Sequence, residues 1–374
     1  MAGLYLHIPF CRKACHYCNF HFSTRLQYKN EVTAAILKEL ARESFRLEGQ
    51  KLETIYFGGG TPSLLSSEEI STIFSAIRRH FLIDADAEIT LEANPDDIEP
   101  GLLAHWKWLG INRLSIGVQS FREEDLRWMN RAHSAAEAEA AVQKAKAAGF
   151  TDFNLDLIYG IPGLSDAAWQ ENISKALAQG INHLSAYALT VEPKTALAVL
   201  IDKLRMPDID PTQQADQFLL LVDQLDAAGW EQYEISNFAV PGHRSRHNSA
   251  YWEGAVYLGI GPGAHSYDGR TRRWNVSNNA LYVNGIEKGI SVSEEEILSD
   301  DNRFNEYIMT SLRRREGISL ARVAELGGVT ATEKLLRSAD IYFQSGALLQ
   351  EGEQVVLSRS GKLFADGIAS ALFC

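Results

Sequence analysis

The chain alternates short runs of β-branched and aromatic residues with longer segments whose apolar positions recur at helical spacing. The runs are Leu4–Ile8, Thr54–Phe57, Glu88–Leu91, Arg113–Val118, Phe153–Tyr159 and His183–Leu189. Between them the periodicity predicts helices over about Tyr28–Phe45, Glu68–His80 and Leu102–Leu109, a short helix before the Ala-rich stretch Ala135–Ala148, and one from Ser165 or Asp166 to Ala178. Six β-then-α units in succession demand a parallel sheet, because each crossover returns the chain to the same end. A doubly wound sheet and a partial or complete barrel both satisfy that demand. The punctuation favours the barrel. Gly58-Gly59-Gly60, Glu92-Ala93-Asn94-Pro95 and Gly160-Ile161-Pro162-Gly163 each close a strand, where the βα loops of a barrel assemble one site. The expected fold class is α/β, a partial (βα)6 TIM-like barrel.

Beyond the sixth run, Thr212–Ala228 reads as a helix, with Asp210 to cap it, Pro211 at its first position and Gly229 past its end. Residues from Ile235 to Ser299 are loop-rich and aromatic, and no elements are assigned there. The tail reads as helices over Asn302–Arg314, Leu320–Glu325 and Thr332–Phe343, then a hairpin pairing Ala347–Gln350 with Val355–Ser358. The expected organisation is a core over residues 1–235, a loop-rich segment over 236–300, and a smaller, mainly helical, winged-helix-like domain over 301–374.

Charge narrows the partners. Lys and Arg total 36 against 48 Asp and Glu in 374 residues, a net −12, which argues against coating nucleic acid. The third tail helix offers only Lys334 and Arg337, so its winged-helix look does not imply DNA binding. No apolar run approaches the roughly 18 residues of a membrane span; peripheral membrane contact stays open. The start, MAGLYLHIPFC, lacks a basic and a long apolar region and does not read as a secretory signal. A cytoplasmic protein is expected.

Of four cysteines, Cys11, Cys15 and Cys18 fall within eight residues and Cys374 ends the chain. Such crowding cannot staple a fold, so it reads as a metal or redox site. Three thiolates on one tight loop can hold three irons of a cubane cluster and leave the fourth open, since such clusters ordinarily take four cysteines. Zinc with His16 as fourth ligand and a thioredoxin-type Cys15/Cys18 pair are the competing readings.

The spacing Cys-x3-Cys-x2-Cys, with Tyr17 beside the last cysteine and Gly58-Gly59-Gly60-Thr61-Pro62 closing the second run, resembles the radical S-adenosylmethionine (SAM) superfamily. Within it, the chain is similar to the oxygen-independent coproporphyrinogen oxidases and their relatives. The similarity rests on Leu4 to Cys11 (LYLHIPFC), Glu92 to Pro95, Gly117 to Phe121, Asn130-Arg131 and Asp156 to Gly160. The resemblance implies a radical SAM barrel whose 4Fe–4S cluster is held by Cys11, Cys15 and Cys18, with SAM on its open iron. It implies that Tyr5 and Tyr17 flank SAM, that Gly59, Gly60 and Thr61 line it, and that Glu92 meets its ribose or amino end. Gln119, Arg131 and Asp156 match polar residues facing the same cavity. A zwitterion bearing a sulfonium needs such carboxylates and such a guanidinium.

Two departures set the chain apart from the oxidases. Phe20 stands where they continue with another cysteine, and only ten residues precede Cys11. Leu164 and Lys194 differ from the usual pattern only locally. A sister group, the HemW-type haem chaperones, shares the Phe and the short start, and its hallmark His-Asn-x-x-Tyr-Trp matches His247 to Trp252. That resemblance implies a protein that binds haem and passes it to apo-haemoproteins. On it, His247 is the expected axial donor, with His243 or His265 as substitutes. Tyr251 and Trp252 form a wall, and Arg244 or Arg246 meets a propionate. A radical SAM enzyme acting on a tetrapyrrole is the alternative, and a zinc-bound, non-catalytic binding protein the third.

Overall fold

Residues 2–374 are described by a computed structural model. The six apolar runs are strands: β1 (Ala2–Ile8), β2 (Lys51–Gly59), β3 (Leu82–Ala93), β4 (Arg113–Gln119), β5 (Asp152–Tyr159) and β6 (His183–Ala188). All pair in parallel, each with its sequence neighbour. A doubly wound sheet would reverse its strand order part-way; this one runs straight from β1 to β6. The α/β, partial-barrel expectation therefore holds.

The stretch 235–299 contains more than loops. Strands β7 (Glu231–Glu234) and β8 (Asn237–Ala239) form a hairpin, of which β8 pairs antiparallel with β6. On the other edge β9 (Val256–Ile260) lies parallel to β1, and β10 (His265–Tyr267), β11 (Thr271–Asn275) and β12 (Ser293–Ile297) follow it antiparallel. Among the described residues the sheet thus has twelve strands, seven of them consecutive and parallel. β12 reads Ser-Glu-Glu-Glu-Ile and gives no apolar signal because it is an edge strand, where charge protects unpaired backbone.

Helix boundaries follow local chemistry. Ser66 and Ser134 head reciprocal capping boxes with Glu69 and Glu137. The Asp210 carboxylate accepts from Thr212 N–H at 2.9 Å to start the helix Pro211–Ala227. Odd-numbered positions of β2 and even-numbered positions of β1, Ile55 and Phe57 with Leu4, Leu6 and Ile8, are buried in the main apolar core. The opposite set points into the barrel.

The tail has its own apolar cluster, including Phe304, Ile308, Leu312, Leu335, Leu348, Val355 and Leu372. It combines the helices Asp300–Leu312 and Leu320–Gln344 with a small sheet of β13 (Ile318–Ser319), β14 (Leu348–Glu351) and β15 (Gln354–Leu357). The long helix is broken at Gly328 (φ 76°), so the two helices expected there are both present. A final helix, Ala365–Ala371, was not expected. Its seven residues are too few to show a period.

Candidate functional site

The cysteine loop is tied off at its base. Cys11 N–H donates to the Ser23 carbonyl at 3.1 Å and Ser23 N–H to the Pro9 carbonyl at 2.8 Å. Its tip is pinned from outside. Asn130 Nδ2 donates to the Ala14 carbonyl at 2.7 Å, His16 N–H to the Met129 carbonyl at 3.1 Å, and Leu197 N–H to the His16 carbonyl at 2.7 Å. The loop therefore sits at the C-terminal ends of the strands. Cys11, Cys15 and Cys18 all line one cavity of about 1060 Å3. His16, the fourth donor of the zinc reading, does not; its Nδ1 lies 2.9 Å from the Trp128 carbonyl.

The same cavity is lined by Tyr17, Gly59, Gly60, Thr61, Glu92, Gln119, Arg131 and Asp156. Thr61 Oγ1 donates to Cys11 Sγ at 3.4 Å. Gly59 has φ 108°, and a Cβ there would fall 2.6 Å from the His7 ring. A Cβ on Gly60 would fall 2.7 Å from Phe10 backbone. Only glycine gives that backbone its approach to the loop. Glu92 accepts from Tyr56 Oη at 2.8 Å and from Gly59 N–H at 3.1 Å. Burial, with Asp156 nearby, still pushes its pKa up to about 7. Asp156 is likewise raised by burial to about 6. Arg131 donates from Nη2 to Asn94 Oδ1 and the Gly117 carbonyl, both at 2.7 Å, and lies 3.4 Å from Cys15 Sγ through Nη1. Its Nε is buried with no acceptor. Gln119 holds φ 66°, rare for a residue with a side chain.

Comparison with known proteins supplies the family. Residues 5–176 match the radical SAM superfamily model. The chain is 38% identical to the heme chaperone HemW of Mycobacterium tuberculosis over 99% of its own length and 94% of that protein's. It is 34% identical to the heme chaperone HemW of Bacillus subtilis over 99% of each. The chain belongs to the HemW family of radical SAM proteins. Among solved structures, the coproporphyrinogen III oxidase HemN of Escherichia coli, described there as a radical SAM enzyme, superposes with TM-score 0.87. That match covers 100% of this chain and 90% of that one at 24% identity, and speaks to the fold.

The HemW hexapeptide lies elsewhere. His247, Tyr251 and Trp252 belong to the helix Arg246–Trp252 and do not line the cavity. This helix plugs the opposite, N-terminal end of the strands. Glu88 of β3 accepts from the N–H groups of Arg246 and His247, each at 2.9 Å, satisfying two helix-start donors. His247 is 3% exposed. Its Nδ1 lies 2.8 Å from Thr54 Oγ1 and its Nε2 3.0 Å from Tyr251 Oη, and desolvation drops its pKa to about 3. While those bonds stand, the imidazole has no free nitrogen for iron. Tyr5, expected beside SAM, sits one layer above the plug. It bonds the His7 ring at 3.1 Å and stacks near Tyr56, outside the cavity lining. Arg244 pairs with Glu231 and Glu316, and Arg246 with Glu53.

A hydrogen-bond chain joins plug and cavity, and the sequence reading did not find it. Asn248 Nδ2 donates to Tyr233 Oη (3.1 Å), Tyr233 to His183 Nε2 (2.8 Å), His183 Nδ1 to Asn154 Oδ1 (2.7 Å), and Asn154 Nδ2 to Asp156 (2.7 Å). These directions require a neutral His183, and burial does hold its pKa well below the ordinary value. The signal was in the sequence. Asn154/Asp156 and His183/Ser185 are polar pairs at spacing two inside apolar strands, the mark of one inward face.

Proposed function

We propose that this protein binds haem and delivers it to apo-haemoproteins in the cytoplasm, using a barrel that also holds a 4Fe–4S cluster and SAM. Among the described residues no helix is long and apolar enough to cross a membrane. The observation that carries the reading is the convergence of three cysteines from one closed loop with Arg131, Glu92 and Asp156 in a single cavity, in a chain of the HemW family.

The donor set suits the cluster: three soft thiolates and no fourth cysteine at the loop leave one iron open. The surrounding groups suit SAM. Glu92 supplies an anion for its amino end, and Gly59 and Gly60 bring backbone close. Arg131 has an unspent buried donor, Nε, for a carboxylate. A cluster held by Cys11, Cys15 and Cys18 would, when reduced, provide an electron for cleaving a C–S bond of SAM. The test titrates haem into anaerobically reconstituted protein and separately supplies coproporphyrinogen III, reductant and SAM. A saturable Soret band with coproporphyrinogen left intact is expected. Consumption of coproporphyrinogen would instead establish the tetrapyrrole enzyme, and no saturable haem binding would refute the chaperone reading.

A further inference from the structure

The cavity wall is partly polar and partly apolar. Besides Glu92 and Asp156 it includes Phe22, Leu189, Phe218, Leu363 and Phe364. Phe20 and Phe364, both lining it, are 69% and 64% exposed. Exposed aromatics clustered on a concavity mark a binding surface, whereas scattered ones do not. Ligand sites run to roughly 300–1,000 Å3; at about 1060 Å3 this cavity has room beyond one nucleoside cofactor.

Two cations, Lys362 and Arg313, line the same cavity. The Lys362 ammonium donates to the neutral Gln232 Oε1 at 2.7 Å and forms no ion pair among the described residues. Burial and the nearby Arg315 hold its pKa below the ordinary lysine value, outweighing the opposite pull of Asp226, which does not pair with it. A desolvated cation without a counter-ion is costly, and an anionic ligand group removes the cost. Arg313 pairs through Nη1 with Asp366 at 2.6 Å, while its Nε is buried without an acceptor. Its guanidinium lies 5.3 Å from the centre of the Trp252 ring.

We propose that haem sits against this apolar part of the wall, its macrocycle on Phe22, Phe218, Leu363 and Phe364, and its propionates on Lys362 and Arg313. The assignment rests on the haem-chaperone reading and deepens it. No histidine lines the cavity among the described residues, so haem is gripped by its faces and its anionic edge without an imidazole on iron. Such a seat suits cargo that must leave. The hexapeptide touches this seat only where Trp252 meets Arg313, and His247 belongs to the barrel plug.

The experiment follows the Soret band while full-length protein is titrated with haem and, in parallel, with haem dimethyl ester, which lacks free carboxylates. Lys362→Met should weaken haem binding by roughly tenfold, about the worth of one charge-assisted hydrogen bond, and leave ester binding at the wild-type value. Lys362→Arg should restore haem binding, which separates a charge effect from misfolding. His247→Ala, shown folded by circular dichroism, should keep the wild-type Soret position and affinity. Equal haem affinity in Lys362→Met and wild type would overturn the assignment, as would loss of the Soret band in folded His247→Ala. Absence of saturable binding by the wild type would instead remove the chaperone reading on which the seat depends.

Discussion

Individual side chains divide into those that face the cysteine loop and those that only look as if they should. Cys374 is exposed, its N–H tied to Asn305 Oδ1, and it does not line the cavity. Cys374→Ser should therefore leave iron content and the visible absorbance shoulder unchanged, while Cys15→Ser abolishes both; a full iron complement in Cys15→Ser would remove the cluster assignment. Glu92 makes a prediction with a sign. Its folded-state pKa, about 7, lies above the ordinary 4.5, so between those values the folded chain holds more protons than the unfolded one. Stability from this group is thus present below about pH 4.5 and lost as pH rises through about 7. Glu92→Gln mimics the protonated form, with Tyr56 able to turn from donor to acceptor. It should raise the melting temperature of the SAM-free protein at pH 8, by the equivalent of roughly 1–3 kcal/mol, and change it little at pH 4.5. A cation bound at Glu92 favours the carboxylate, so SAM binding at pH 6 should release protons. Calorimetry in two buffers of different ionisation enthalpy reads that release, and Glu92→Gln should suppress it.

At the scale of elements, the hexapeptide helix Arg246–Trp252 is tied to the cavity by side chains rather than by sequence proximity. Tyr233→Phe cuts that chain at one atom, leaving His183 Nε2 and Asn248 Nδ2 without their partner. A buried polar group left unpaired costs about 1–3 kcal/mol. We expect a matching drop in urea-unfolding stability together with a shift in the SAM-binding pH profile through Asp156; a variant as stable as wild type would show the chain to be idle. What was legible in the sequence follows the same divide. The parallel barrel could be read because its strands are buried on the helix-covered face and end in glycine or Glu-x-Asn-Pro punctuation. The cavity could be read because Cys11, Gly59 and Glu92 lie at or just beyond those strand ends, while Asp156 faces it from within β5. Strand β9 and the helix Ala196–Asp202 were missed, being five and seven residues long, too short for periodicity. Neither Lys362 nor Arg313 carries a local motif; they reach the cavity only because the tail folds back against the barrel.

The molecule as a whole rests on two apolar clusters joined by a polar seam. The second cluster, from Phe304 to Leu372, contacts the barrel through Arg359–Asp223 (2.5 Å), Arg315–Glu231 (2.9 Å), Arg244–Glu316 (2.6 Å) and Arg315 N–H on the Tyr233 carbonyl (3.0 Å). Ion pairs of this kind, most of them partly exposed, contribute only about 0–1 kcal/mol each, and Ile235 packing on the second cluster and Leu363 on the first add apolar contact. The cysteine loop and the SAM-lining residues all belong to the first core's strands and loops, whereas Lys362, Leu363 and Phe364 follow β15 of the second. Damage to the second core should therefore reach the cavity mouth and spare the cluster. Ile308 has no exposed surface, and its truncation to Ala should cost about 2–5 kcal/mol in that core. We expect Ile308→Ala to split urea unfolding into two transitions, the earlier one belonging to the tail. At urea concentrations between them, the protein should retain its iron and its EPR response to SAM while haem affinity falls. Iron lost together with the first transition would mean that the two cores unfold as one cooperative unit, and that the mouth cannot be opened without destroying the floor.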